Sequence, residues 1–196
     1  METFSTRERI MDTSITLFSD RGYNIVSMRD IAGIVGIKAS SIYNHFPSKH
    51  SILLSLYDFY EEKRQAIAPT LDELLHIAET ESLAKIMARL DYHYSPSIQE
   101  WMDRILLIGI QGIYIDEDSN NFVKRIMFDT PLETLIPLFN RLIELDKIEP
   151  VDVTSFVHIL AYYAFSTAFL NHSTMKIGLN QWQKGLGMIF SFLVEK

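Results

Sequence analysis

Signals for the start of a helix recur at four places in this chain, each a hydroxyl residue followed three positions later by a glutamate. In such a capping box the hydroxyl accepts from a free amide of the first helical turn, and the glutamate accepts from the amide of the capping residue. Glycine and proline number only 8 and 6, and no Asn-Gly or Asp-Gly hairpin pair occurs. The chain is therefore predicted to be all-α, with boxes at Ser5 and Glu8, Thr70 and Glu73, Ser97 and Glu100, and Thr130 and Glu133.

The composition is that of a soluble globular protein. The 196 residues are 47 % hydrophobic and 22 % charged, which is enough for one or two domains with a sizeable core. The chain has no cysteine, which excludes a disulfide framework or a thiolate metal site and favours the reducing cytoplasm. The longest apolar run, 156–170, is shorter than the roughly 20 residues of a membrane span, so we expect a buried helix and no membrane partner.

The charge is unevenly distributed along the chain. The net charge is −7, yet residues 1–50 carry six basic and five acidic side chains, so that the remainder carries −8. An acidic protein binds polyanions poorly without a local basic site. A nucleic-acid site is therefore expected in the N-terminal quarter.

Helical periodicity and breaker residues predict the following order of elements. A first helix at about 6–20 precedes two short helices, 27–35 and 38–46, which Gly36 separates and Pro47 ends. Pro137 is expected to kink or split the helix that contains it. The domains are predicted as 1–50 and 51–196, and the later helices at about 48–67, 71–94, 97–115, 119–129, 131–146, 152–172 and 179–195.

Two short helices joined by a glycine turn, behind a longer helix, form a helix-turn-helix pattern. Ala32 is small where the two helices cross, and Ile42 and Phe46 are spaced to hold the second helix against the core. The outer face of that helix would then enter the major groove. It carries groups that can meet base edges or phosphates: Ser40, Ser41, Tyr43, Asn44 and His45.

The segment 5–55 resembles the DNA-binding domain of the tetracycline-repressor (TetR-like) family. The ordered matches are Leu17-Phe18, Gly22-Tyr23, Asp30-Ile31-Ala32, Gly36, Ile42-Tyr43, His45-Phe46 and Ser48-Lys49. The resemblance implies that positions which touch DNA are occupied by Ser27, Arg29, Ser41, Tyr43, His45 and Lys49. It implies that more variable positions, which set sequence preference, are occupied by Lys38, Ser40 and Asn44.

By the same resemblance we expect a homodimeric repressor that binds a palindromic DNA operator and is released by an unidentified small-molecule inducer. The final helix is apolar nearly all round, which favours a second covered side at a dimer interface. The interface is predicted at Ala161, Ala164, Ala168, Trp182, Leu186, Ile189, Phe190 and Leu193. Aromatic and methionine side chains of the C-terminal region are core by default, but some are expected to line a ligand cavity: Tyr92, Trp101, Met102, Phe128 and Tyr163.

Two other interpretations remain open. The C-terminal domain could recognise a protein partner instead of an inducer. Alternatively the chain could be a helical enzyme or metal protein, since Glu73 and His76 have the Glu-x-x-His spacing of di-iron bundles. Those bundles need a second such motif, which the sequence lacks, and no phosphate loop, nucleophile elbow or His-Glu-x-x-His motif occurs. We therefore expect no enzymatic activity, cofactor or metal.

Overall fold

The computed structural model describes residues 5–90 and 95–171, together with 184, 185 and 188. Within these residues the secondary structure is helical with no strand, which confirms the all-α prediction. The α-helices are α1 Thr6–Arg21, α2 Met28–Val35, α3 Lys49–Ile67, α4 Leu71–Thr80, α5 Leu83–Leu90, α6 Pro96–Gly112, α7 Glu117–Lys124, α8 Thr130–Glu144 and α9 Val153–Asn171.

Two of the predicted capping boxes are confirmed. At the start of α1 the Ser5 hydroxyl accepts from the Glu8 amide at 3.2 Å, and the Glu8 carboxylate accepts from the Ser5 amide at 2.7 Å. At the start of α4 the corresponding distances for Thr70 and Glu73 are 3.2 and 2.8 Å. In both cases the capping residue has the extended backbone that the motif needs.

The other two predicted boxes are wrong. Helix α6 begins one residue before Ser97, at Pro96, so Ser95 takes the capping position and makes no side-chain capping bond. Thr130 follows Asp129, whose backbone is already helical (φ −62°, ψ −50°), because a π-helical segment, Arg125–Asp129, joins α7 to α8. A helix that does not begin there leaves no free amides to cap.

Two predicted helix extents also need correction. The helix predicted over 71–94 is two helices, since Glu81 is extended (φ −116°, ψ 162°) and ends α4. The helix predicted over 119–129 is α7 plus the π-helical segment. Helix α8 is not split, because its bounds include Pro137. The helix predicted over 179–195 lies outside the described residues, apart from 184, 185 and 188.

The chain divides into two compact units. The first comprises residues 1–67 and 93–122, and the second comprises 68–92 and 123–196. In the first unit, α1 packs against α2, α3 and α6 over a fully buried set of side chains that includes Ile10, Phe18, Ile31 and Ile52. In the second, α4, α8 and α9 enclose Leu74, Phe139, Leu142 and Val157. The functional division at residue 50 remains a prediction.

A buried polar contact fastens α3 to the start of α7 in the first unit. The Tyr57 hydroxyl lies 2.7 Å from the Ser119 hydroxyl, and its ring stacks on Phe122 with centroids 4.1 Å apart. Burial raises the pKa of the Tyr57 hydroxyl well above its ordinary value, so it remains a neutral hydrogen-bonding group. Gly112, at the end of α6, packs closely against Ser119. A Cβ atom added at Gly112 would collide with the Ser119 side chain.

Replacing Gly112 with alanine should therefore destabilise the protein by about 1–3 kcal/mol, since Ser119 is buried and cannot move aside freely. The matched control is Gly33→Ala in α2, where a Cβ would meet nothing within 4 Å. That change should stabilise by about 0.5–1 kcal/mol, because alanine loses less backbone entropy on folding. Urea unfolding of both variants measures the two shifts, and equal effects in the same direction would contradict the packing described here.

Candidate nucleic-acid interface

Helix α2 is defined at both ends by local chemistry. Ser27 is extended and its hydroxyl accepts from the Asp30 amide at 3.2 Å, while the Asp30 carboxylate accepts from the Ser27 amide at 2.8 Å. Hydrogen bonds from the Ser27 hydroxyl and amide lower the pKa of Asp30. Gly36 ends the helix in the left-handed region at φ 77°, a conformation that glycine adopts without strain. Ser27 thus has a structural role as well as the predicted contact with DNA.

The second short helix, predicted over 38–46, is less regular than expected. Its only helical element is a 3₁₀ turn, Ile42–Asn44, flanked by turns. The backbone bonds mostly join residues three apart, as from Ser41 N to Lys38 O at 2.8 Å and from His45 N to Ile42 O at 3.0 Å. Such i to i+3 bonds form 3₁₀ turns, which are used in short pieces, so this segment lacks the cooperative hydrogen bonding of an α-helix.

Side chains of this segment separate into buried and outward groups as the sequence predicts. Ile42 and Phe46 are fully buried, with 0 and 1 % of their surface exposed. Tyr43 is 54 % exposed even though it directly follows Ile42. The remaining outward groups are Lys38, Ser40 and Asn44, which are exposed, and Ser41 and His45, which are half-buried. Except at Ser27, Arg29 and Lys49, the predicted DNA-binding residues therefore lie in one short segment.

Arg7 braces that segment from α1, a role that the sequence analysis missed. Its guanidinium lies 4.1 Å from the centre of the Phe46 ring and donates to the His45 carbonyl at 3.0 Å and to the Ser55 hydroxyl at 3.1 Å. Arg9, on the same helix, donates to the Val35 carbonyl at the end of α2. Basic side chains in the first turn oppose the helix dipole, and that anomaly is the signal that could have revealed them.

Lys49 is the second brace. Its ammonium donates to the carbonyls of Tyr23 at 2.8 Å and Val26 at 2.9 Å, with Asn24 at 3.4 Å. The ammonium also lies 4.3 Å from the centre of the Tyr23 ring. Burial lowers the pKa of Lys49. The side chain thus joins the first turn of α3 to the loop before α2, an arrangement that spacing alone did not predict.

The sequence similarity to known proteins lies mainly in this N-terminal region. Residues 10–56 match the family model described as bacterial regulatory proteins, tetR family. The chain is 50 % identical over 46 residues to the biofilm operon icaADBC HTH-type negative transcriptional regulator IcaR of Staphylococcus aureus. The aligned stretch covers 24 % of this chain and 25 % of that protein. Over 71 residues it is 35 % identical to the HTH-type transcriptional repressor KstR2 of Rhodococcus jostii, 34 % of this chain and 35 % of that protein.

The chain is thus similar to the tetR family of bacterial regulatory proteins over residues 10–56. Its match spans only a quarter to about a third of the curated relatives' length. The fold likeness extends further. A transcriptional regulator from Saccharomonospora viridis, solved in complex with choline, aligns over 97 % of this chain and 98 % of its own, with a TM-score of 0.64 and 18 % identity. At that identity the likeness concerns the fold alone.

The predicted ligand-binding residues fall in both compact units. Trp101 lies 5.3 Å from Phe59 between ring centres, and Met102 is buried, both in the first unit. Phe128 and Tyr163 belong to the second unit, where the Phe128 ring centre lies 5.8 Å from that of Tyr162. Tyr92 lies outside the described residues. Their role in ligand binding remains a prediction.

The predicted dimer-interface residues are only partly described. Ala161 is 2 % exposed and faces the core of its own unit, while Ala164 and Ala168 are half-buried. Helix α9 instead presents the exposed apolar side chains Ile159 and Tyr162, with Phe169 further along. The predicted residues that lie outside the described part of the chain are Trp182, Leu186, Ile189, Phe190 and Leu193.

The proposed di-iron spacing at Glu73 and His76 gains no support from the geometry. The Glu73 carboxylate accepts from the Thr70 amide and hydroxyl at 2.8 and 3.0 Å, and these bonds lower the pKa of Glu73. His76 is exposed on α4. Helix α9 has the length and apolar composition of a possible membrane span, as core helices of globular proteins also can.

Replacing Lys49 with methionine keeps the length of the side chain but removes its bonds to three carbonyls. We expect a loss of about 1–3 kcal/mol in unfolding free energy, since the Val26 region is left with unpaired carbonyls. Lys38→Met is the matched control, because Lys38 is exposed, and should stay within about 0.5 kcal/mol of wild type. Chemical denaturation measures both, and equal stability of the two variants would argue against Lys49 as a brace.

Proposed function

We propose that this protein is a DNA-binding transcriptional regulator, acting as a repressor, that binds a palindromic operator as a homodimer and is released by a small molecule. The observation that carries the proposal is the braced turn 38–46. Its apolar side chains, Ile42 and Phe46, are buried, with Phe46 beneath the Arg7 guanidinium, while its polar side chains face outward. A polar surface held this firmly is suited to meeting base edges without a large ordering cost.

The outward groups have distinct proposed roles. Ser40, Tyr43 and Asn44 are placed to meet base edges or adjacent phosphates, and the Asn44 amide has the donor and acceptor pair that adenine requires. Arg29 is exposed on α2, where a guanidinium can contact a phosphate. Lys49 supports binding mainly through the loop it holds, because three carbonyls already accept from its ammonium.

We propose the sign of regulation from the two relatives, one a negative transcriptional regulator and the other a transcriptional repressor. Response to a small molecule is proposed from the structural neighbour that was solved with choline. Such a ligand can change operator affinity only if it binds the two states of the regulator with different affinities. A DNA-binding regulator with this composition would act in the cytoplasm.

Dimerisation is proposed to use the exposed face of α9. Ile159, Tyr162 and Phe169 are each more than half exposed, and their spacing of three and seven residues places them on one side of the helix. A symmetric pair of such faces would bury each stripe against its copy. Two recognition turns about 34–36 Å apart would then meet successive major grooves on one side of the DNA.

A second candidate function keeps the DNA-binding unit but replaces the inducer with a protein partner. The observation that favours it is the turn after α6, where Tyr114 is 98 % exposed and Ile115 is 65 % exposed. Adjacent exposed apolar side chains are typical of protein-binding surfaces. Retention on an immobilised partner without any effect of small molecules on DNA binding would favour this candidate.

Replacing Tyr43 with alanine should weaken operator binding roughly ten-fold or more, since a side chain at a base-reading position is lost, while stability changes little. The operator is first obtained by selection of bound DNA and footprinting, and affinities are then compared by gel shift at fixed salt. Tyr114→Ala is the matched control, because it removes another exposed tyrosine of the same unit. Unchanged affinity of Tyr43→Ala would contradict the proposed interface.

Replacing Tyr162 with glutamate should yield monomers, because an unpaired charge buried at the interface costs several kcal/mol. The dimer dissociation constant is expected to rise at least ~100-fold, measured by sedimentation velocity over a range of concentrations. Tyr114→Glu provides the control at an exposed position of the first unit and should leave the dimer intact. A Tyr162→Glu dimer as stable as wild type would place the interface elsewhere.

A further inference from the structure

The first unit brings together three metal-ligating side chains that the nucleic-acid interface does not use. His50 lies in the first turn of α3, Asp116 immediately precedes α7, and Asp118 lies in the first turn of α7. One ligand atom from each can be chosen so that all three lie within 4.8 Å of one another. We propose that His50, Asp116 and Asp118 bind a divalent first-row metal ion such as Zn²⁺ or Mn²⁺.

The distances suit such an ion. A His50 ring nitrogen lies 3.0 Å from an Asp118 oxygen, close to the spacing of neighbouring ligands on an ion with bonds of about 2.1 Å. Three atoms within 4.8 Å of one another share a centre no more than about 2.8 Å from each, so side-chain shifts of up to about 0.7 Å bring them to bonding distance. Imidazole with carboxylate is a donor set that Zn²⁺, Fe²⁺ and Mn²⁺ accept.

The Asp116 carboxylate is already oriented for this role. Its Oδ2 accepts from the Ser119 amide at 2.7 Å and from the Ser119 hydroxyl at 2.6 Å. Its other oxygen, Oδ1, lies 4.0 Å from the His50 Nδ1, whereas Asp118 lies nearest the His50 Nε2. One ion would use a single ring nitrogen with one oxygen of each aspartate, and such a set of atoms lies within 4.8 Å of one another. In known metal sites, hydrogen bonds to a ligating carboxylate hold it in the orientation that binds the metal.

The charges and the exposure also favour a cation. His50 is the basic side chain that lies within ion-pair distance of both carboxylates, and a neutral imidazole leaves their two negative charges uncompensated among the described residues. The side chains of His50, Asp116 and Asp118 are 44, 20 and 49 % exposed. Water can therefore fill the remaining coordination positions, as it does around Mn²⁺ and in open Zn²⁺ sites.

Metal binding is tested on the full-length, untagged protein after dialysis against a chelator, by calorimetric titration with Zn²⁺ or Mn²⁺ alone. We expect one ion per chain for wild type and an affinity at least ~10-fold weaker for His50→Ala, Asp116→Asn and Asp118→Asn. Asparagine at 116 retains helix capping, so that variant should remain folded. Zn²⁺ should raise the Tm of wild type but not of His50→Ala, since only the native site binds the ion.

Two matched controls remove the same kinds of group outside the cluster. Glu117→Gln removes the exposed carboxylate between the two aspartates, and His76→Ala removes an exposed histidine of α4. Both should bind metal like wild type. The proposal is overturned if wild type shows no saturable binding below roughly 1 mM metal, or if Glu117→Gln weakens binding as much as Asp118→Asn does. In either case the cluster is a polar contact between His50 and the two aspartates without a metal-binding role.

Discussion

Burial of Phe46 beneath the Arg7 guanidinium is the contact on which the candidate interface depends. The turn 38–46 has few helical hydrogen bonds of its own, so tertiary contacts must hold its shape. The Arg7 guanidinium makes a cation–π contact with the Phe46 ring. It also donates to the His45 carbonyl, which fixes the backbone at that residue. Tyr43 and Asn44 lie between the buried Ile42 and the anchored His45, and these two points direct their side chains outward.

The same unit contains a second fastening near the middle of α3. Tyr57 bonds to Ser119, Ser119 bonds to Asp116, and Gly112 leaves room for Ser119 to lie against the end of α6. The helix that begins directly after the recognition turn is thus fixed to α6 and α7 by a buried hydroxyl pair and an aromatic stack.

Local sequence signals predicted much of the fold, and their failures have physical causes. The boxes at Ser5 and Thr70 were predicted correctly because capping depends only on neighbouring residues. The box at Thr130 failed because the preceding residues continue the helix as a π-helical segment, which places the Thr130 hydroxyl in a buried site with no hydrogen-bond partner among the described residues. The box predicted at Ser97 failed because α6 begins at Pro96. Local patterns often misplace a helix boundary by one or two residues.

The sequence by itself determined the helical class, the position of the recognition segment and which of its side chains face inward, since periodicity and glycine placement are local properties. Only the tertiary structure decided that Arg7 and Lys49 brace this segment and that His50 meets Asp116. These partners are separated by 23 to 66 positions in the chain, and contacts at such separations depend on how helices pack, which no local pattern encodes.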